Sequence, residues 1–376
     1  MNRKLYSNRF QKITLSLFLS CFLIISFPNY AFADSSSCKI LNSSYIHQPH
    51  NIGFPRPEGR IKNSGNINYK VLFVKFADSK NLSKKDSKKL LSKINPVFIN
   101  KYYKNLSDGR VNINLVADLQ WITLEDDSSR ITSPSQDFDF FANSEELIKK
   151  VIDKADVNND FSTTDGVMVV LDPVKTFLNY SYAFRINKII DDTVISNAIL
   201  FGSNIDYASA ETIAVHEIGH NFGLGDLYDF EFKKDKVNFF SLMNGKGLAT
   251  GLLGWEKYIT GWLEDTQVIC HQFGKITKIL SPLEKKSGLK IIIIPLNPSQ
   301  VVVIEHRNNA GLDEKLNSHG VIAYTVDTSI QIGSMPIKVL NNQKSIKLGK
   351  TIEYDRVKIT NKSKSKKGYE VQIQVN

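Results

Sequence analysis

The sequence predicts an α+β fold, a mixed domain of strands and helices followed by a β-rich, sandwich-like module. Three observations predict it. Apolar β-branched runs alternate with helix-period segments between residues 66 and 268. After Trp262 the pattern changes to short apolar strands separated by turns. The composition, 42% hydrophobic and 23% charged over 376 residues, is that of a globular chain long enough for two cores, which excludes a mainly disordered protein.

The chain opens with Arg3, Lys4, Arg9 and Lys12, then an apolar run from Ile13 to Phe27, then Pro28 and Ala31-Phe32-Ala33. Basic, apolar and small-residue regions in that order mark an export signal with a cut before Asp34. The apolar run is shorter than the roughly 20 residues a membrane span needs. Residues 1–33 are therefore expected to be a signal peptide, and the mature protein to be secreted with no stable membrane span. The net charge of +10 is carried largely by lysine, as in Lys84, Lys85, Lys88 and Lys89. Such a run reads as a solvated helix face. A nucleic-acid partner is not expected, because arginine and aromatic residues are not interleaved with it.

Residues 34–65, rich in Ser, Asn, Pro and Gly, read as an N-terminal lead-in or short pro-segment. Residues 66–268 then form the main domain. Its first strand is Tyr69–Phe76, and residues 83–104 are helical with a break at Pro96. Val111–Val116 alternates as a half-buried strand, and residues 144–155 have the pattern of an amphipathic helix. Val167–Leu171 reads as a central strand and Thr193–Phe201 as another, here expected to form the edge of the sheet. Ser209–Phe222 is helical. Residues 269–376 make the β-rich module, with strands at Lys290–Pro295, Gln300–His306, Gly320–Val326, Ser345–Leu348 and Gly368–Val375.

The chemistry lies in residues 216–226, His-Glu-Ile-Gly-His-Asn-Phe-Gly-Leu-Gly-Asp. His216 and His220, four apart on a helix, share one face and can bind the same zinc ion. Glu217 sits beside them as a general base without being a ligand. Gly223 can take the left-handed conformation that ends a helix and turns the chain back. Asp226 then becomes the third ligand. A glutamate on a later helix, Glu256 or Glu264, is the alternative. Met243 in Ser241-Leu242-Met243-Asn244 suits the methionine turn beneath the metal in metzincin-like zincins.

On these residues the sequence resembles the immune inhibitor A-like family of secreted metallopeptidases. The strongest stretch is Val215 to Phe230. Val71–Asp78, Ser241–Gly245, Gly254–Trp262, Ile304–Arg307 and Gly320–Asp327 are also similar. The resemblance implies a metzincin-like zincin catalytic domain with a β-rich module after it. It further implies one catalytic Zn2+, protein or peptide substrates, and a bacterial source.

Several further residues are candidates. Tyr228 and Tyr258 could assist an oxyanion or contact substrate, or simply pack. Cys38 and Cys270 remain after the leader is removed, and an exported pair suggests a disulfide. The alternative is a free thiol that ligates the zinc and keeps the enzyme latent. Asp156, Asn158, Asp160 and Asp165 form an oxygen-rich loop that could take Ca2+, although the EF-hand glycine and glutamate are missing. The rival function is an inactive peptidase-fold protein that acts as a surface-binding module. The sequence leaves the oligomeric state open.

Overall fold

The computed structural model describes residues 35–42, 52–130 and 139–376, apart from 232 and 247. The expected leader, residues 1–33, lies outside the described residues.

Five strands form the first sheet: β1 (Gly65–Lys75), β2 (Val111–Thr123), β3 (Gly166–Leu171), β4 (Tyr182–Ile190) and β5 (Thr193–Phe201), in the order β2-β1-β3-β5-β4. β1, β2, β3 and β5 run parallel, and β4 pairs antiparallel with β5. β3 is buried at every position, as a central parallel strand requires. The expectation that Thr193–Phe201 is the edge is corrected: β5 is flanked by β3 and β4, so the edge on that side of the sheet is β4, and the opposite edge is β2. β4 was not anticipated, although Tyr182, Phe184 and Ile186 alternate with less apolar residues. A hairpin joins β4 to β5 through Asp191 and Asp192, which have φ of 46° and 57°, the conformation a tight two-residue turn demands.

The helices are α1 (Lys84–Ile94), α2 (Pro96–Leu106), α3 (Phe140–Asp156), α4 (Ala210–Asn221) and α5 (Gly254–Ile259). Ser83 and Asp86 form a capping box at the start of α1. Asn95, at φ 58°, ends α1, and Pro96 starts α2, because the residue before a proline is pushed out of the helical region.

Nine strands follow α5: β6 (Val268–Cys270), β7 (Gly274–Leu280), β8 (Ile291–Asn297), β9 (Gln300–Arg307), β10 (Gly320–Asp327), β11 (Ile337–Val339), β12 (Thr351–Tyr354), β13 (Val357–Ser365) and β14 (Gly368–Val375). They form two sheets, β11-β10-β9-β8-β6 and β12-β13-β14-β7. Ser345–Leu348, expected as a strand, makes only an isolated bridge from Ile346 to Val321. Period-2 alternation gives β9 two faces. Val302 and Ile304 pack with Ile359, Val371 and Ile373 between the two sheets. Val301 and Val303 face the other way, into a core shared with Trp255, Met243 and Ile218. The main domain and the β-rich module thus meet in one continuous apolar core.

The described part of the lead-in is built into that core. Ile40, Ile52 and Ile61 are buried. The Trp255 indole donates to the Ile52 carbonyl at 2.6 Å, and the Trp262 indole to that of Asn63 at 2.9 Å. Cys38 and Cys270 form a disulfide across 232 residues of sequence, with Cα atoms 5.7 Å apart. A bridge closing so long a loop restricts the unfolded chain strongly. The double replacement Cys38→Ser/Cys270→Ser is expected to lower stability by about 2–4 kcal/mol. A urea midpoint unchanged by it would show that the bridge adds nothing.

Candidate metal centre

α4 carries His216, Glu217 and His220, whose ligand atoms lie within 4.8 Å of one another. The helix is anchored from behind: the Tyr103 hydroxyl donates to the Val215 carbonyl at 2.6 Å. It ends at Gly223, with φ 96°, whose N–H donates to the His220 carbonyl at 2.8 Å. Leu224 N–H reaches back to the Gly219 carbonyl at 3.2 Å, and the chain reverses. The reversal brings the Asp226 Oδ1 to 3.1 Å from His216 Nε2 and 3.5 Å from His220 Nε2.

Both imidazoles are oriented from their far side. His216 Nδ1 pairs with the Leu242 carbonyl at 3.2 Å, and His220 Nδ1 with the Leu224 carbonyl at 2.8 Å. A carbonyl can only accept, so each Nδ1 carries a proton, and each Nε2 points toward Asp226, where it would offer its lone pair to a metal ion held between them. Two imidazole nitrogens and one carboxylate oxygen converging on a point, with second partners fixing the rings, fit a zinc ion.

The electrostatics follow from the same contacts. Burial would raise the Asp226 carboxyl, but His220 and His216 outweigh it and hold Asp226 well below the usual carboxylate range. Burial likewise disfavours charge on His220, yet Asp226 pulls its pKa upward. The Glu217 carboxyl is pushed up to about 8 by burial, with Asp226 adding to the shift. His216 and the Ala183 amide of β4, which donates to Glu217, oppose it. A cation at the ring nitrogens would oppose it further.

Met243 is fully buried beneath the helix. Its sulfur lies 2.7 Å from where a Cβ on Gly219 would stand. Only a glycine there permits this approach, and a glycine inside a helix is itself a sign of close packing. Gly219→Ala is expected to cost about 1–3 kcal/mol through overpacking, less about 1 kcal/mol of gained helix propensity. The net cost is about 0–2 kcal/mol, and an unfolding temperature above that of the parent protein would contradict this contact.

The candidate tyrosines separate. Tyr228 stands at the centre, with its hydroxyl bonded to Asp226 and its ring 6.5 Å from that of His216. Burial and then Asp226 raise its pKa far above the ordinary value. Tyr258 lies elsewhere. Its hydroxyl donates to Asp265 at 2.6 Å, and its ring packs on Phe54 at 5.1 Å. Of the alternative ligands, Glu256 is buried and accepts from the Leu253 amide at 2.8 Å, while the exposed Glu264 pairs with Arg110 at 2.7 Å. In the oxygen-rich loop, Asp160 accepts from the Ser162 amide at 2.8 Å, and Asp165 pairs with Lys62 at 2.8 Å.

Beneath the methionine turn lies a buried ionic network that sequence reasoning did not assign. Arg307, on the core face of β9, holds Asp313 through Nε at 2.7 Å and through Nη2. Its Nη1 donates to the Phe240 carbonyl at 2.7 Å and to Glu305 at 3.2 Å. Glu305 also accepts from the Gly254 amide and the Tyr324 hydroxyl, both at 2.7 Å. The sequence signals it only through Glu305, a charge in an apolar strand that reads either as a buried partner of Arg307 or as a turn-facing residue. The carbonyls of Leu224 and Leu242 and the Ala183 amide were equally hidden, because backbone groups carry no sequence signature.

Among the described residues, no helix is long and apolar enough to cross a membrane. No family profile matches this chain, and no curated protein matches it. Among solved structures the chain is similar to catalytically inactive OgpA from Akkermansia muciniphila, crystallised with an O-glycopeptide (glycodrosocin) substrate. The identity is 8%, over 81% of this chain and 92% of that one, with a TM-score of 0.28, which makes the likeness a distant one.

Proposed function

We propose that this chain is a secreted zinc-dependent endopeptidase of the metzincin type. The observation that carries the reading is the convergence of His216 Nε2, His220 Nε2 and Asp226 Oδ1 on one point beside the Glu217 carboxylate. A zinc ion held by those three atoms would supply Lewis-acid chemistry, polarising a peptide carbonyl and lowering the pKa of water. Glu217 takes a proton from the attacking water and passes it to the leaving amine. Its buried setting and raised pKa suit a group that must both accept and return a proton near neutrality. The Tyr228 hydroxyl is placed to donate to a developing oxyanion once it releases Asp226.

Peptide substrate lies extended along the free edge of β4, adding a strand to the sheet. The Ala183 amide of β4 lies beside Glu217, which supports a substrate path along that edge. The leader-like N-terminus and the Cys38–Cys270 disulfide support export to an oxidising compartment.

The test is hydrolysis of a quenched, unstructured protein by the chain from Asp34 onward, with and without a zinc chelator. Chelator-sensitive cleavage that zinc restores is the expected result. A folded protein that binds one zinc and cleaves nothing would favour the surface-binding module. Absence of zinc binding would overturn the metal centre.

A further inference from the structure

The segment from Ile52 to Asn63 runs against the C-terminal end of α4. Arg56 Nε donates to the Phe222 carbonyl at 3.0 Å, and the Ile61 amide to that of Asn221 at 3.1 Å. A Cβ on Gly223 would stand 3.1 Å from Pro57 Cδ and 3.5 Å from Arg60 Cγ. β4 adds a third arginine: a Cβ on Gly59 would lie 2.8 Å from a guanidinium nitrogen of Arg185. Arg185 and Arg56 therefore act on Arg60, whose own charge acts on His220.

Arg56 is satisfied by the carbonyls of Phe222 and Ile61. Arg60 is not. It is 9% exposed, and its Nε, Nη1 and Nη2 are all buried without a hydrogen-bond partner. The charges acting on it most strongly are those of Arg185 and Arg56, which add to the effect of burial in lowering its pKa to about 10. At neutral pH it still carries its proton. Glu58, the acid nearest in sequence, is exposed.

A buried cation with like charges around it and no counter-charge is costly, and a guanidinium does not escape by deprotonating. Its planar fork matches a carboxylate in two-point contact. Position along β4 indicates where such a carboxylate would come from. Ala183 and Arg185 lie two residues apart and so share one face of the strand, about 7 Å from one to the other. A peptide extended along this edge passes Glu217 and then reaches the arginines.

We propose that Arg60, Arg185 and Arg56 form an anion subsite beside the metal centre that takes a carboxylate of the peptide substrate near the scissile bond. This specificity rests on the endopeptidase reading above. The carboxylate belongs to an acidic side chain or to the substrate's C-terminus.

The experiment compares kcat/KM for matched peptides on the zinc-loaded protein, Arg185→Gln and Arg60→Met. One set scans a glutamate against glutamine through the positions flanking the cut. Another pairs a free C-terminus with its amide. Wild type is expected to prefer the carboxylate form about tenfold or more, as for a charge-assisted pair, and each substitution to bring the ratio close to one. Whichever set shows the preference identifies the source. Arg185 is exposed, so its replacement keeps the test valid if Arg60→Met does not fold. A second readout needs no turnover: N-acetylglutamate should raise the unfolding temperature of wild type more than N-acetylglutamine does, and the difference should vanish in both variants. Cleavage with no acidic preference, or a preference that survives both substitutions, overturns the subsite and leaves the peptidase standing. Arginine-dependent stabilisation by N-acetylglutamate in a protein that cleaves no peptide overturns the peptidase and leaves an anion site.

Discussion

Glu217→Gln is expected to lower kcat by about 10²–10⁴-fold, the usual contribution of a positioned general acid–base, while zinc content stays at that of the parent protein. The side chain is buried and accepts from the Ala183 amide. Glutamine preserves its volume and can accept that hydrogen bond through its amide oxygen, so the helix and its histidines should not move. What it cannot do is take a proton from water. Single-turnover hydrolysis alongside metal analysis separates the two effects. Wild-type rates with normal zinc would remove Glu217 from the mechanism, and a parallel loss of zinc would assign it to the metal's support.

Arg307→Met should have the largest effect on stability, about 3–5 kcal/mol, the cost of removing one partner from a buried ion pair. Arg307, Glu305 and Asp313 are all fully buried, and methionine would leave two carboxylates facing each other without a cation. The consequence reaches the site. Arg307 holds the Phe240 carbonyl, and two residues later the Leu242 carbonyl orients His216. Metal affinity should therefore fall with stability, as it does when outer partners of a ligand are lost. Replacing Arg307, Glu305 and Asp313 together by apolar residues should cost much less than Arg307→Met alone, because no uncompensated charge remains. Urea unfolding with zinc titration measures both. If the single variant loses stability but binds zinc normally, the network supports the fold and not the metal.

The candidate centre is legible in sequence because its members are local. His216, Glu217 and His220 share one helical turn, and Gly223 reverses the chain so that Asp226 returns to them. Helix period and glycine's backbone freedom are short-range properties, and they can be read from eleven consecutive residues. β3 is legible for the same reason, as an unbroken apolar run, and β5 as a β-branched, apolar strand interrupted by Ser196 and Asn197.

The tertiary structure alone decided which strand is the edge, because neighbours in a parallel sheet are chosen by long-range pairing. It alone decided that Tyr228 faces Asp226 while Tyr258 faces Asp265, and that a lead-in without periodicity fills the core and carries an unpaired arginine to His220. Those outcomes depend on contacts between residues far apart in the chain, whose free energy comes from burial and pairing that no local pattern records.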